Sequence, residues 1–277
     1  MPITFAGAGS HAPGITAWSE AAPAAQREHF YAGYDVLRRS LDASGTEVLV
    51  LLTSEHWANF FLDHVSPYCV GLAESFEGPI EPWLRIDRTR VPGDPELAGQ
   101  IVNACYDHGI EPSFSHELEF DHGSMVPLHL LTPSMHVPVV PILFNTLSAP
   151  QPTARRCGDL GRVVGHLARH SPRRIGLFAT GGLSHDPGER NHGVIDTEFD
   201  RRFLTQMANG DIEALARYTR EELAAAGAGA FELLSGIALA GALNGRKGTV
   251  AAYEAVQGWA TGVGVIEFDV AVEVSQA

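Results

Sequence analysis

The stretch Thr46-Glu47-Val48-Leu49-Val50-Leu51-Leu52-Thr53-Ser54-Glu55-His56 follows Gly45, is unbroken apolar through its middle and closes on a histidine. Such a run suits a strand covered on both faces, as in a parallel sheet packed between helices. In open α/β sheets, ligands sit in the crevice beyond the carboxyl ends of the strands, so His56 stands where chemistry is expected. Two further segments repeat the design. Ile3-Thr4-Phe5-Ala6-Gly7-Ala8-Gly9-Ser10-His11 is a short apolar stretch running into small residues and then a histidine. Ile175-Gly176-Leu177-Phe178-Ala179-Thr180-Gly181-Gly182-Leu183-Ser184-His185 does the same, with a Gly-Gly pair that lets the backbone approach a ligand closely. Three strand-like runs that each deliver a histidine can converge at one edge of a sheet.

Around these runs the punctuation is that of an α/β protein. Residues 20–41 carry Phe30, Tyr34, Leu37 and Leu41 at helical spacing and stop at Ser44-Gly45, so strand, helix and the 46–56 strand read as a βαβ unit with parallel pairing. Residues 57–95, rich in aromatics and prolines, read as loops and short strands near the site. Asp94-Pro95 opens a helix with Leu97, Ile101 and Cys105 on one face and Gly109 past its end. The strand at 137–145 contains Pro138 and Pro141, which places it at an edge or turns its prolines where no ladder partner exists. Residues 153–169 are helical, with Leu160, Val163, Val164 and Leu167 inward. The last third is mostly helical, over 196–207, 211–218 and 230–243 with a capping box at Thr219-Arg220-Glu221-Glu222, before a final strand at 264–272. The expected fold is a central, mostly parallel mixed sheet flanked by helices, as one catalytic domain over residues 1–277.

Composition narrows the function. Of 277 residues, 45% are hydrophobic and 19% charged, ordinary for a folded globular chain, and a net charge of −14 with only 19 Lys and Arg argues against a nucleic-acid partner. No apolar run approaches the roughly 18–20 residues that span a bilayer, and the N-terminus lacks a signal-peptide pattern, so the chain is expected to be cytoplasmic and to make no membrane contact. The three cysteines, Cys69, Cys105 and Cys157, form no C-x-x-C pair, so any metal is held by nitrogen and oxygen.

Two residues outside the three runs complete the candidate set. His122, in Asp121-His122-Gly123, lies in a turn-like sequence from which a side chain can face a pocket; an ordinary turn is the plainer alternative. Glu232 is a lone carboxylate in the first turn of an otherwise apolar helix. Such a helix is buried, and a buried carboxylate needs a metal, a cation or several donors, unless it merely complements the helix dipole at the surface. Glu55 adjoins His56, but strand alternation turns the two apart, which makes it a supporting or structural residue.

Together, Ser10-His11-Ala12-Pro13, Ser54-Glu55-His56-Trp57-Ala58-Asn59-Phe60-Phe61, Phe120-Asp121-His122-Gly123-Ser124-Met125-Val126-Pro127-Leu128, Thr180-Gly181-Gly182-Leu183-Ser184-His185 and the Glu232 helix resemble the class III extradiol ring-cleaving dioxygenases. That family includes the protocatechuate 4,5-dioxygenase β subunit and the 2,3-dihydroxyphenylpropionate dioxygenases. The resemblance runs in order from about residue 5 to about residue 245. It implies Fe(II) held by His11, His56 and Glu232, with His122 and His185 as the acid–base pair. It also implies insertion of both atoms of O2 into a catechol-type, gallate-type or 2-aminophenol-type ring, with no nicotinamide or flavin. A homo-oligomer, and in some relatives a small second subunit, are the assemblies it brings with it. A zinc hydrolase uses a similar two-histidine, one-glutamate set but on an H-E-x-x-H helix, which this chain lacks. A non-catalytic binding protein on the same fold is the other alternative.

Overall fold

The computed structural model of the chain describes residues 3–270. Strand β1 (Phe5–Gly9) runs toward His11 and is followed by a short helix, α1 (Gly14–Ala17). Helix α2 (Ala24–Ser44) buries Phe30, Tyr34, Leu37 and Leu41 and ends at Gly45, whose φ of 64° relieves a left-handed turn. It begins later than its apolar spacing suggests because Pro23 is extended and Ser19–Ala21 forms a separate 3-10 turn.

Strand β2 (Val48–Ser54) is buried at every position. The aromatic- and proline-rich section then supplies three short strands, β3 (Tyr68–Gly71), β4 (Ser75–Gly78) and β5 (Thr89–Pro92). Helix α3 (Pro95–Asp107) starts where Asp94 accepts a hydrogen bond from the Leu97 amide. Next come β6 (Ser113–Ser115), α4 (His122–Leu131), β7 (Val139–Phe144), α5 (Ala154–His170) and β8 (Ile175–Thr180). Then follow α6 (Thr197–Asn209), α7 (Ile212–Leu215), α8 (Arg220–Ala225) behind its Thr219–Glu222 capping box, and α9 (Leu233–Leu243). Strands β9 (Gly248–Val256) and β10 (Thr261–Phe268) complete the described chain.

Eight strands form one sheet in the order β6-β3-β7-β2-β8-β1-β10-β9, and β4 pairs with β5 in a separate ribbon. The four central strands β7, β2, β8 and β1 are mutually parallel, while β3, β10 and β9 add antiparallel pairings toward the two edges. Alternation along β2 divides the core. Val48, Val50 and Leu52 join the apolar layer beneath α3, α5, α6 and α9, and Leu49 and Leu51 join the layer beneath α2 and α4.

Four local expectations are corrected. Strands β1 and β2 run parallel but do not pair: β8 lies between them, from Phe5 opposite Gly176 on one side to Val48 opposite Ile175 on the other. Of the two alternatives for β7, the edge is overturned, since the strand lies between β3 and β2, and the second holds. Pro141 is tolerated because it stands one position beyond the last β3–β7 pair, Val70–Ile142, where no ladder partner needs its amide. Asp121-His122-Gly123 is not a turn but the start of α4, and the helix expected over 211–218 is confined to Ile212–Leu215. Strand β9 has no counterpart in the sequence reading. Its partner β10 ends at Phe268, and the expected final residues Ala271 and Val272 lie outside the described residues.

Candidate metal centre and active site

His11, His56 and His185 follow β1, β2 and β8, three adjacent parallel strands, at their carboxyl ends. Two helix starts complete the arrangement. Glu232 closes a 3-10 turn (Ala228–Glu232) and occupies the N-cap position of α9, where the positive end of the helix dipole favours a carboxylate. His122 is the first residue of α4, with Asp121 before it.

The carboxylate of Glu232 is the hub. It is 3% exposed, with Oε2 at 2.9 Å from His11 Nε2 and Oε1 at 3.2 Å from His56 Nε2 and 3.6 Å from His185 Nε2. The amide of Gly182 donates to Oε2 at 2.5 Å. The His122 ring lies beside these, its centroid 4.1 Å from that of His56 and 5.7 Å from that of His11. Donor nitrogens of His11, His56 and His122 all lie within 4.8 Å of one another, so three histidines can hold a metal.

Every histidine has its outer nitrogen engaged, which points the inner one at the cluster. His56 Nδ1–H donates to Asp121 Oδ2 at 3.0 Å, and the same oxygen accepts the His56 amide at 2.9 Å. His122 Nδ1–H donates to Glu81 Oε1 at 2.7 Å, and His185 Nδ1–H donates to the Leu183 carbonyl at 2.8 Å. His11 Nδ1 is bonded to Thr180 Oγ1 at 2.9 Å. Its Nε2 is buried and, despite its closeness to Glu232, has no hydrogen-bond partner.

Burial alone would raise the carboxyl of Glu232, but His11 and His185 outweigh it and hold the group well below the usual carboxylate range. Asp121 is likewise depressed, with His56 overcoming its burial. His56 is pushed well above its ordinary value because Asp121 and Glu232 together overcome burial, and His185 is raised, with Glu232 again outweighing burial. His11 goes the other way: it is 1% exposed, and a single carboxylate does not repay its desolvation. Two buried carboxylates held below their ordinary range by neighbouring imidazoles make this a site that favours positive charge.

Glycines make room for the rings. A Cβ on Gly229 would lie 2.1 Å from His185 Nε2, and one on Gly182 would lie 2.4 Å from His185 Cε1, so the His185 ring fits only between two residues without side chains. Sequence reasoning missed Asp121 and Glu81 as partners of the site histidines. Asp121 carries a signal, being adjacent to His122. Glu81 carries none, since only folding brings it to α4. Glu55 is structural, as expected: it is 7% exposed and accepts the amides of Trp57, Ala58 and Asn59, shaping the loop after His56. The Trp83 ring centroid lies 6.4 Å from that of His122 and 5.9 Å from that of Trp18, so an aromatic pair stands beside the cluster. Arg85 pairs with Glu20, Arg88 with Glu119, and Arg246 bonds the carbonyl of Asp269.

Residues 6–264 match the family described as the catalytic LigB subunit of aromatic ring-opening dioxygenase. Two similar proteins bear the name 2,3-dihydroxyphenylpropionate/2,3-dihydroxicinnamic acid 1,2-dioxygenase. The one from Cupriavidus necator is 25% identical, over 81% of this chain and 86% of its own length. The one from Photorhabdus laumondii is 29% identical, over 66% of this chain and 56% of its own length. Among solved structures, an uncharacterised protein from Escherichia coli K12 shares the fold with a TM-score of 0.52 and 18% identity, over 95% of this chain and 98% of that one. No helix among the described residues is long and apolar enough to cross a membrane.

Proposed function

Since this chain belongs to the family of catalytic LigB subunits of aromatic ring-opening dioxygenases, we propose that it cleaves a catechol-type ring in the extradiol manner with Fe(II) held by His11, His56 and Glu232. The observation that carries the assignment is the buried, ionised Glu232 carboxylate, in contact with the inner nitrogens of both histidines. The residues fit a metal on their own terms. His11 Nε2 is an orphaned buried nitrogen, and a set of two imidazoles and one carboxylate would hold such a metal and leave it positions for other ligands. His122 supplies a further nitrogen, but its side chain is 14% exposed against 4% for Glu232, so it borders the space a substrate would enter.

When bound, the metal supplies the redox coupling between a chelated diol and dioxygen, both of whose atoms end in the ring-opened product. The protein supplies proton control and position. His185 offers Nε2 as the base for a substrate hydroxyl, because its other nitrogen is committed as a donor to Leu183. His122, held in the same way by Glu81, faces the cluster with its own Nε2 and returns the proton. Trp83 and Trp18 provide apolar walls for the body of the aromatic substrate. A cytoplasmic setting goes with three buried free cysteines.

Iron-reconstituted protein, purified without air, tests the reading in an oxygen electrode against catechol, 2,3-dihydroxyphenylpropionate, gallate and 2-aminophenol. Equimolar consumption of dioxygen and one diol, with a coloured ring-opened product, is expected. Iron-loaded protein that consumes oxygen with none of them overturns it.

A further inference from the structure

Asp200, on α6, has no exposed surface (0%) and lies outside the cluster just described. Its Oδ1 accepts the amide of Ser184 at 2.8 Å, and its Oδ2 accepts the hydroxyl of Tyr253 on β9 at 3.0 Å. Gly262 on β10 leaves the space for it, since a Cβ there would lie 2.0 Å from Oδ2. The Ser184 amide and the Leu183 carbonyl are the two ends of one planar peptide unit. That carbonyl is the acceptor for His185 Nδ1–H at 2.8 Å.

We infer that Asp200 is a positioning residue for the ring-opening reaction: through the Leu183–Ser184 peptide it fixes the tautomer and orientation of the His185 ring. The inference rests on the acid–base role given to His185 above. A hydrogen-bonded chain runs from Tyr253 through the Asp200 carboxylate and this peptide to His185, whose Nε2 meets Glu232 at 3.6 Å. A carboxylate on the N–H end polarises the peptide and strengthens its carbonyl as an acceptor, so the ring is held with Nδ1–H on Leu183 and Nε2 turned toward Glu232. The segment carrying His185 has no helix or strand ladder of its own. Leu183 and Ser184 are tied instead to Gly262 by N–H···O bonds of 3.3 and 3.2 Å, and the Asp196 amide donates to Ser184 Oγ at 2.8 Å. Burial pushes the Asp200 carboxyl up to about 6, so the fold accepts a strained ionisation where a small polar residue would be easier to bury. The acceptor it provides is the one part of this clamp with negative charge in contact with the Ser184 amide.

Three variants of the iron-loaded enzyme decide it: Asp200→Ala, Asp200→Asn and the pair Asp200→Ala with His185→Ala. Asp200→Ala is expected to lower kcat roughly 10- to 100-fold with metal content and KM for the diol within about twofold, as loss of an outer partner does. Asp200→Asn, which keeps an acceptor for Ser184, is expected to recover kcat to within about fivefold of the parent. The double variant is expected to be no slower than His185→Ala alone, because both changes remove one device. The nitrogen-15 signals of the His185 ring are expected to move toward the other tautomer in Asp200→Ala and partway in Asp200→Asn, a readout independent of turnover. If Asp200→Ala does not fold, the Asp200→Asn ring signals and kcat carry the test. Multiplicative losses in the double variant, or unchanged ring signals and kcat in the single variants, overturn the inference. A parent enzyme inert toward every diol would instead strike the proposed activity, leaving the ring signals to report the clamp.

Discussion

In β2, Leu49 to Leu52 lie in the apolar layers on the two faces of the sheet, whereas past Ser54 the same chain enters a pocket of ionised carboxylates and imidazoles. The two regions are neighbours along one strand and opposites in energetics. The middle gains stability from every buried methylene. The carboxyl edge gathers groups that desolvation penalises, each needing a partner of opposite charge. Folding is secured by one part and chemistry by the other, so substitutions should separate the two.

The sharpest separation is expected at His56→Ala, which removes a donor from the cluster while leaving the sheet intact. Turnover should fall on the order of a thousandfold or more, read by oxygen uptake, while the sheet keeps its native circular-dichroism signature on the same sample. Gly229→Ala comes next. Its added methyl would meet His185 Nε2 at 2.1 Å, so the ring must move, and kcat is expected to drop by roughly 10- to 100-fold with iron retained. Leu52→Ala, at a position with 0% exposure, inverts the pattern: a loss of about 2–5 kcal/mol in denaturant unfolding, and unchanged turnover per folded molecule. A mid-sheet change that alters kcat without altering stability would erase the distinction.

The smallest effect concerns Asp200 and carries a pH signature. Its carboxyl titrates near 6 in the folded protein, above its ordinary value of 3.8, so the native state binds the proton more tightly than the unfolded chain. Stability contributed by the protonated form is therefore full below about 3.8, declines as pH rises through the window between the two values, and is gone above about 6. In Asp200→Asn that penalty is absent. The variant is expected to match the parent near the bottom of the window and to exceed it by up to about 2–3 kcal/mol above the top, measured by urea unfolding at several pH values. A difference that does not vary with pH would show that ionisation of Asp200 is not what the fold resists.

The same contrast explains what could be read in the sequence. The interior of the sheet was legible because continuous apolar runs and helical spacing are local patterns: Val48–Ser54 and the Phe30, Tyr34, Leu37, Leu41 stripe lie where their periodicity puts them. The histidines after β1, β2 and β8 were legible for a similar reason, each being tied to the end of such a run. Pairing was not, since nothing local in the 46–56 run tells that β8 enters between β1 and β2. Asp121-His122-Gly123 looked like a turn because Asp and Gly serve turns and helix starts alike, and only the packing of Met125 and Val126 against the sheet decides for α4. Strand β9 escaped because its buried positions are few, its stability coming from the ladder with β10. Glu81 reaches His122 through a contact that no spacing encodes.

The most direct measurement is iron content together with oxygen uptake for Glu232→Ala, prepared without air and reconstituted beside the parent protein. With Glu232 as the ionised hub between His11 and His56, the parent should take up stoichiometric iron and open a catechol, and the variant should lose both while remaining folded. Full iron and undiminished ring opening in the variant would contradict the assignment.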